Sequence, residues 1–214
     1  MKCTFKFKTT LIVGTLSILP FINTASFAWE QQLSDSVDSE PAVTVWTQDV
    51  PSSKFKAFKG EVLINAPMDK IVSVIRDTQN VPKWYYKSIH AEQLQRLNDH
   101  QSLNYSVTSL PWPVSDRDSV ILATVSNLQN GDIIIKMTAK PEAYPVQENL
   151  IRVPKLDGLW KLEQQTNNQV KVTLQMATEP GGEIPSWLAN AMVIDMPLKS
   201  LSNLKKRVEN LPEQ

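Results

Sequence analysis

The chain has 214 residues, 42% hydrophobic and 21% charged, with 22 basic and 22 acidic side chains, enough for one sizeable core and a tight fit for two domains. Removing Lys2, Lys6 and Lys8 with a leader leaves 19 basic against 22 acidic residues, a mature net charge of −3 with histidine neutral, which argues against a nucleic-acid partner. The only cysteine, Cys3, lies in that leader, so disulfides and thiol catalysis are excluded from the mature chain.

The first residues concern address. Three lysines precede an apolar run from Leu11 to Ile22, and Ser26-Phe27-Ala28 places small residues at −3 and −1, the pattern of a secretory signal peptide cleaved after Ala28. The run is far short of the roughly 20 residues of a membrane span, and Cys3 is not placed as a lipoprotein acceptor. The expected location is periplasmic or secreted. The expected division is a leader over 1–28, a polar, acidic arm over 29–42, loose or irregularly helical, and one domain over 43–214.

Strands are predicted at Val43–Thr47 and Phe55–Asn65, the second with Phe58, Gly60, Val62 and Ile64 on one face, the alternation of a half-buried strand. A helix follows from Pro67 to about Asn80, with proline and acid in its first turn and Ile71, Val72, Val74 and Ile75 as its apolar face. The aromatic cluster Trp84-Tyr85-Tyr86 is read as a core plug, with Trp84 the residue to test for binding.

From Ile89 the pattern is strand after strand, antiparallel by the shortness of its connections. Leu103, Tyr105 and Val107 share one face. Ile133, Ile135, Met137 and Ala139 do the same after the Asn130-Gly131-Asp132 turn, and Val170, Val172, Leu174 and Met176 repeat it. Between them, Ile151 to Gln165 is interrupted at Pro154 and at Asp157-Gly158, where a turn or bulge is expected.

The closing segment, Glu179 to Leu211, reads as one long helix entered through Pro180-Gly181-Gly182 and Pro185. From Leu188, the positions Ala191, Asp195, Leu198, Leu201, Leu204, Val208 and Leu211 recur at spacings of three and four, the mark of one buried face. Asp195 is either solvated at the edge of that stripe or a polar fixture in a cavity. Pro197 should bend the helix at its level. Lys205, Lys206 and Arg207 suit the helix C-terminus.

One strand breaks the rule of apolar inward residues. The face carrying Ile121, Ala123 and Val125 also carries Ser119 and Arg117. Either the guanidinium is buried and paired, with Asp195 the named candidate, or a bulge near Pro113-Val114 slips the register and leaves Arg117 outside beside Asp116 or Asp118.

The blocks P-W-P-V-S-D-R-D, the R-x-x-x-x-x-G-x-W pattern within I-R-V-P-K-L-D-G-L-W, and P-G-G-x-I-P-x-W-L-x-N, with I-N-A-P-M-D-K-I-V-S-V-I-R-D and Trp84 before them, resemble the START family of lipid-transfer domains over roughly Val43 to Leu211. The resemblance implies an α+β helix-grip fold, a curved antiparallel sheet wrapped around a long C-terminal helix, with a tunnel between them for one lipid or other hydrophobic molecule. It implies Arg117 as the tunnel's polar fixture, Trp160 and Trp187 packing at the sheet and helix start, and Leu188, Ala191, Met192 and Asp195 lining the lid. Ile121, Ala123, Ile135, Met137, Leu174 and Met176 would supply the sheet wall. The family's second tunnel carboxylate has no match, and Tyr105 occupies its neighbourhood. The segment Pro141–Asn149 falls where the family has a gating loop, or is a plain strand connection.

No nucleophile elbow, phosphate loop or metal-ligand spacing is present, and His90 and His100 read as surface residues. The expectation is therefore a monomeric carrier without cofactor or metal, making transient membrane contact. Two other readings stay open: an enzyme acting on a hydrophobic substrate through Arg117, Asp195 and Tyr105, and an interaction protein whose cavity is filled.

Overall fold

The computed structural model describes residues 28–34, 43–166 and 168–212; the leader over 1–28 lies outside them except for Ala28. Among the described residues ten strands form one open sheet: β1 (Glu30–Ser34), β2 (Val43–Gln48), β3 (Ala57–Ile64), β4 (Ser88–Arg96), β5 (Gln101–Thr108), β6 (Arg117–Asn127), β7 (Ile133–Ala139), β8 (Ile151–Arg152), β9 (Lys155–Thr166) and β10 (Gln169–Glu179). Nine run in the spatial order β1-β2-β3-β10-β9-β7-β6-β5-β4, all neighbours antiparallel, and short β8 pairs parallel with β6. The two α-helices among the described residues are α1 (Met68–Arg76) and α2 (Ser186–Asn210).

The polar arm after Ala28 is neither loose nor helical where it is described. Glu30–Ser34 pairs with β2 as an edge strand, so the arm joins the sheet rather than preceding the domain. Helix α1 is shorter than its apolar pattern suggested. It stops at Arg76, Asp77 leaves helical geometry, and a 3-10 segment over Thr78–Lys83, which contains Pro82, takes over before Trp84. No turn occurs at Asp157-Gly158, where β9 runs straight through. Gly158 is needed for close approach: a Cβ there would lie 2.8 Å from the Gln175 carbonyl oxygen of β10.

Helix α2, about 38 Å long by its 25 residues, crosses β2, β3 and β10. Leu201, Leu204 and Val208 are fully buried against Val43, Val45, Val62 and Ile64. Gly60 marks the closest crossing, since a Cβ there would meet Leu201 Cδ1 at 2.7 Å and Pro197 Cβ at 2.8 Å. The helix continues unbroken through Pro197, which faces the sheet.

Polar contacts fix the C-terminal half. Tyr86 N donates to Ser200 Oγ (3.1 Å), Asn203 Nδ2 to the Trp84 carbonyl (3.1 Å), and Lys205 Nζ to the Leu63 carbonyl (3.0 Å) and Glu209 Oε1 (2.8 Å). Lys205 is therefore a buried staple and not part of a surface basic cluster. The sheet curls beyond β10, and the space over β9, β7, β6, β5 and β4 is roofed by the 3-10 segment and the N-terminal half of α2.

Candidate ligand-binding cavity

That space is a cavity of about 270 Å³. Its register can be followed along β6, where Arg117, Ser119, Ile121, Ala123 and Val125 face it in alternation. Eight residue steps at about 3.3 Å give a groove of about 26 Å. No slip occurs near Pro113, so the inward reading of Arg117 holds.

The two sides of the cavity differ in chemistry. One is apolar, built from Ile135 and Met137 of β7, Trp160 of β9, Met176 of β10 and Met192, Val193 and Met196 of α2. The other is polar. Pairing sets Ser102 opposite Ala123, Asn104 opposite Ile121, Ser106 opposite Ser119 and Thr108 opposite Arg117, and all four β5 residues line the cavity. In β5 the hydrophobic pattern is thus inverted: Leu103, Tyr105 and Val107 pack on the opposite face of the sheet, although Tyr105 also borders the cavity.

What covers them there is the segment after β7. Tyr144 and Leu150 pack on Tyr105, Val107 and Val120, with the Tyr105 and Tyr144 rings 5.1 Å apart. Arg152 fixes this segment, donating to the carbonyls of Pro141, Tyr144 and Pro145 and to both oxygens of Asp118 at 3.0 and 2.8 Å. Pro141–Asn149 is therefore a clasp on the outside of the sheet and does not gate the cavity. Burial, and then the neighbouring Asp118 charge, push the Tyr105 hydroxyl up to about 12.

Arg117 is 3% exposed. Its guanidinium donates to the carbonyls of Ser115, Gly181 (3.0 Å) and Glu183 (3.3 Å), tying the β5–β6 loop to the β10–α2 loop. Gly181 and Gly182 make the second loop's approach possible, both in left-handed geometry at φ 69° and 59°, the region glycine enters freely. Burial lowers the pKa of Arg117, and Asp116 nearby opposes that shift. Among the described residues its Nε has no partner, and its hydrogen bonds go to no carboxylate.

Asp195 is not the partner of Arg117. It is half-buried and accepts from Lys199 Nζ at 2.8 Å, one turn along α2, and this contact raises the Lys199 pKa. The reason is helical phase. Extending the buried face back from Leu201 in steps of four reaches Pro197 and Val193, whereas the sequence pattern stepped by three to Leu198 and Asp195, and each such choice turns the face by about 100°. Ala191 is exposed for the same reason, while Met192 faces the cavity.

Arg117, Ile121, Ala123, Ile135, Met137, Trp160, Met176 and Met192 are thus brought together. Leu174 is fully buried in the core beneath. Leu188 belongs to a small cluster with Leu110 and Ile184 at the cavity's end, and Trp187 is 65% exposed. The pattern reading missed the polar row of β5 and Ser88, whereas Trp84, singled out as the aromatic to test for binding, does line the cavity. The alternation of Ser102, Asn104, Ser106 and Thr108 was the available signal.

A protein-family model described as START domain matches residues 25–214. An uncharacterised protein of Pseudomonas aeruginosa is 38% identical over 170 residues, 79% of this chain and 84% of that protein. The crystal structure of a STAR-related lipid transfer protein fragment from Xanthomonas axonopodis is similar with a TM-score of 0.77 and 33% identity, covering 85% of this chain and 99% of that one. Mouse START domain-containing protein 10 is 22% identical over 177 residues, 82% of this chain but 61% of its own length.

Proposed function

The chain belongs to the START domain family, and we propose that it binds one lipid, or another hydrophobic small molecule with an anionic group, in the cavity between sheet and α2, and carries it without chemical change. The observation that carries this reading is the pairing of a largely apolar wall with a buried arginine whose hydrogen bonds go to backbone carbonyls and to no carboxylate among the described residues. Apolar burial, at roughly 25 cal/mol per Å², supplies the affinity, and Arg117 orients the anionic end. A carrier role is further supported by the separation of the three groups that chemistry would need: Arg117 faces the cavity, Tyr105 the opposite face of the sheet, and Asp195 holds Lys199.

Ligand entry is by the N-terminal half of α2, which rests on the Leu110–Ile184–Leu188 cluster, while the stapled C-terminal half stays fixed. Two indoles stand at this end. Trp112, between Pro111 and Pro113, is 92% exposed and Trp187 is 65% exposed, the amphipathic rings suited to a membrane interface. They make the transient bilayer contact through which the ligand is exchanged.

The test is incubation of the purified protein with phosphatidylglycerol–phosphatidylethanolamine vesicles, followed by separation and lipid extraction. Stoichiometric recovery of lipid with the protein is expected, and its absence would contradict a lipid as the ligand. In the same assay Trp112→Ser combined with Trp187→Ser should lower vesicle cosedimentation several-fold and slow uptake, leaving the final bound amount unchanged. Undiminished cosedimentation would remove these indoles from the exchange step.

The protein works in the cell envelope in this reading, supported by the basic residues, apolar run and small −3 and −1 residues ahead of Trp29. Sequencing the N-terminus of protein recovered from an envelope fraction should begin at Trp29; an intact Met1 terminus would contradict it.

A further inference from the structure

Five buried polar side-chain atoms among the described residues have no hydrogen-bond partner, and three of them belong to residues lining the cavity: Trp84 Nε1, Ser88 Oγ and Arg117 Nε. Trp84 is 2% exposed and Ser88 9%. An unmade hydrogen bond at a buried donor is costly and uncommon in native proteins. That three of them gather at one cavity calls for a shared cause.

Packing alone does not supply it. The Trp84 ring is held edge-on to Trp160 at 5.8 Å and to Tyr85 at 5.7 Å, and its backbone carbonyl is held by Asn203 of α2. The indole is thus locked before any ligand arrives. A phenylalanine would fill an aromatic site of this kind without leaving an N–H unsatisfied.

Ser88 adds position. It pairs with Thr108, which pairs with Arg117, so Ser88 and Arg117 lie in one transverse row, two strand spacings or about 10 Å apart. Trp84 stands four residues before Ser88, where the 3-10 segment hands over to β4.

Resting on the proposed lipid-binding function, we infer that Trp84 and Ser88 form a second polar anchor, separate from Arg117, whose indole N–H and hydroxyl donate to the carbonyl oxygen of an acyl ester. This narrows the ligand class. A free fatty acid with its carboxylate at Arg117 has no second acceptor to offer, and a sterol carries one hydroxyl. An acyl ester of an anionic glycerol headgroup supplies both the charge and the carbonyl.

The test is calorimetric titration with 1-oleoyl-lysophosphatidylglycerol and with its 1-O-alkyl ether analogue, which keeps the chain and the charge but lacks the carbonyl. Wild-type protein should bind the ester about five- to tenfold more tightly, the range of one or two hydrogen bonds to a neutral acceptor. Trp84→Phe should lose most of the ester preference, and Ser88→Ala, which leaves the aromatic packing untouched, should lower it by a smaller factor.

An ester preference that survives in both variants would overturn the second anchor while leaving lipid binding intact, as would equal weakening of ester and ether. Failure of the wild-type protein to bind either lipid would instead overturn the lipid-binding reading, and the anchor with it.

Discussion

Arg117→Met is expected to weaken binding of an anionic lipid by about 10- to 100-fold, the loss of a charge-assisted hydrogen bond worth roughly 1.5–3 kcal/mol, while leaving an uncharged lipid such as a monoacylglycerol nearly unaffected. The asymmetry follows from where the charge is balanced. The guanidinium is buried, its hydrogen bonds go to the carbonyls of Ser115, Gly181 and Glu183, and its Nε meets no acceptor among the described residues. Carbonyl dipoles satisfy donors but do not neutralise a charge, and nearby Asp116 opposes the burial effect without cancelling it, so the ligand-free cavity holds a cation whose desolvation is only partly offset.

An arriving anion supplies the missing charge and competes with the carbonyls of the β10–α2 loop for the same N–H groups. Ligand binding is thereby coupled to the loop that leads into the lid helix. Methionine has similar length and no charge to bury, so stability should change little in comparison with affinity. Titration of matched anionic and uncharged lipids measures both effects, and an unaltered preference between them would show that Arg117 does not orient the headgroup.

The second large effect concerns stability. Asp118→Asn should cost about 3–5 kcal/mol, the usual consequence of removing one partner of a buried ion pair, and lower the melting temperature by roughly 10 °C for a domain of this size. The Asp118 side chain is 1% exposed and that of Arg152 9%. Register puts them side by side, because β8 pairs with β6 just where β7 no longer reaches, matching Arg152 to Asp118.

An amide cannot take two charged hydrogen bonds, and the guanidinium would be left among carbonyls alone, loosening the clasp that covers Tyr105 and Val107. Replacing both partners, Asp118→Leu with Arg152→Met, should recover part of the loss. Urea unfolding reads both variants; a change below about 1 kcal/mol for Asp118→Asn would mean the pair is effectively solvated.

How much of this was legible beforehand depended on how local the determining physics is. The strand faces of β3, β7 and β10 were readable because apolar alternation and burial agree there: Val62 and Ile64, Ile135, and Val170 to Met176 all face the core side. The inward arginine was readable for the opposite reason, as a single polar intruder in an apolar row.

In β5 the same rule misled. Leu103, Tyr105 and Val107 are apolar and half-buried or buried, yet their cover is a clasp held by an ion pair 34 residues apart in the chain. No local pattern encodes such a cover. The cavity keeps the hydroxyls and the amide instead, because a ligand-binding wall need not obey the economy of a packed core.

The upper half of α2 failed through accumulated phase. A stripe exact at Leu201, Leu204 and Val208 drifts by two residues over two turns, and that sufficed to send Asp195 to Lys199 rather than Arg117. Gly60 and Gly158 were likewise unreadable from their neighbours, since what they admit, Pro197 of the helix and the Gln175 carbonyl of β10, comes from distant chain.

The central claim is that the ligand occupies the space between the sheet and α2. Native mass spectrometry without detergent, on the mature wild-type protein and on Ala123→Trp after exposure to the same vesicles, tests it most directly. Ala123 lines the middle of the groove, and an indole there fills it without touching Arg117 or the exposed tryptophans. The account predicts a one-to-one lipid adduct on the wild-type protein and a ligand-free mass for the variant; an equal adduct on both, or none on either, would contradict it.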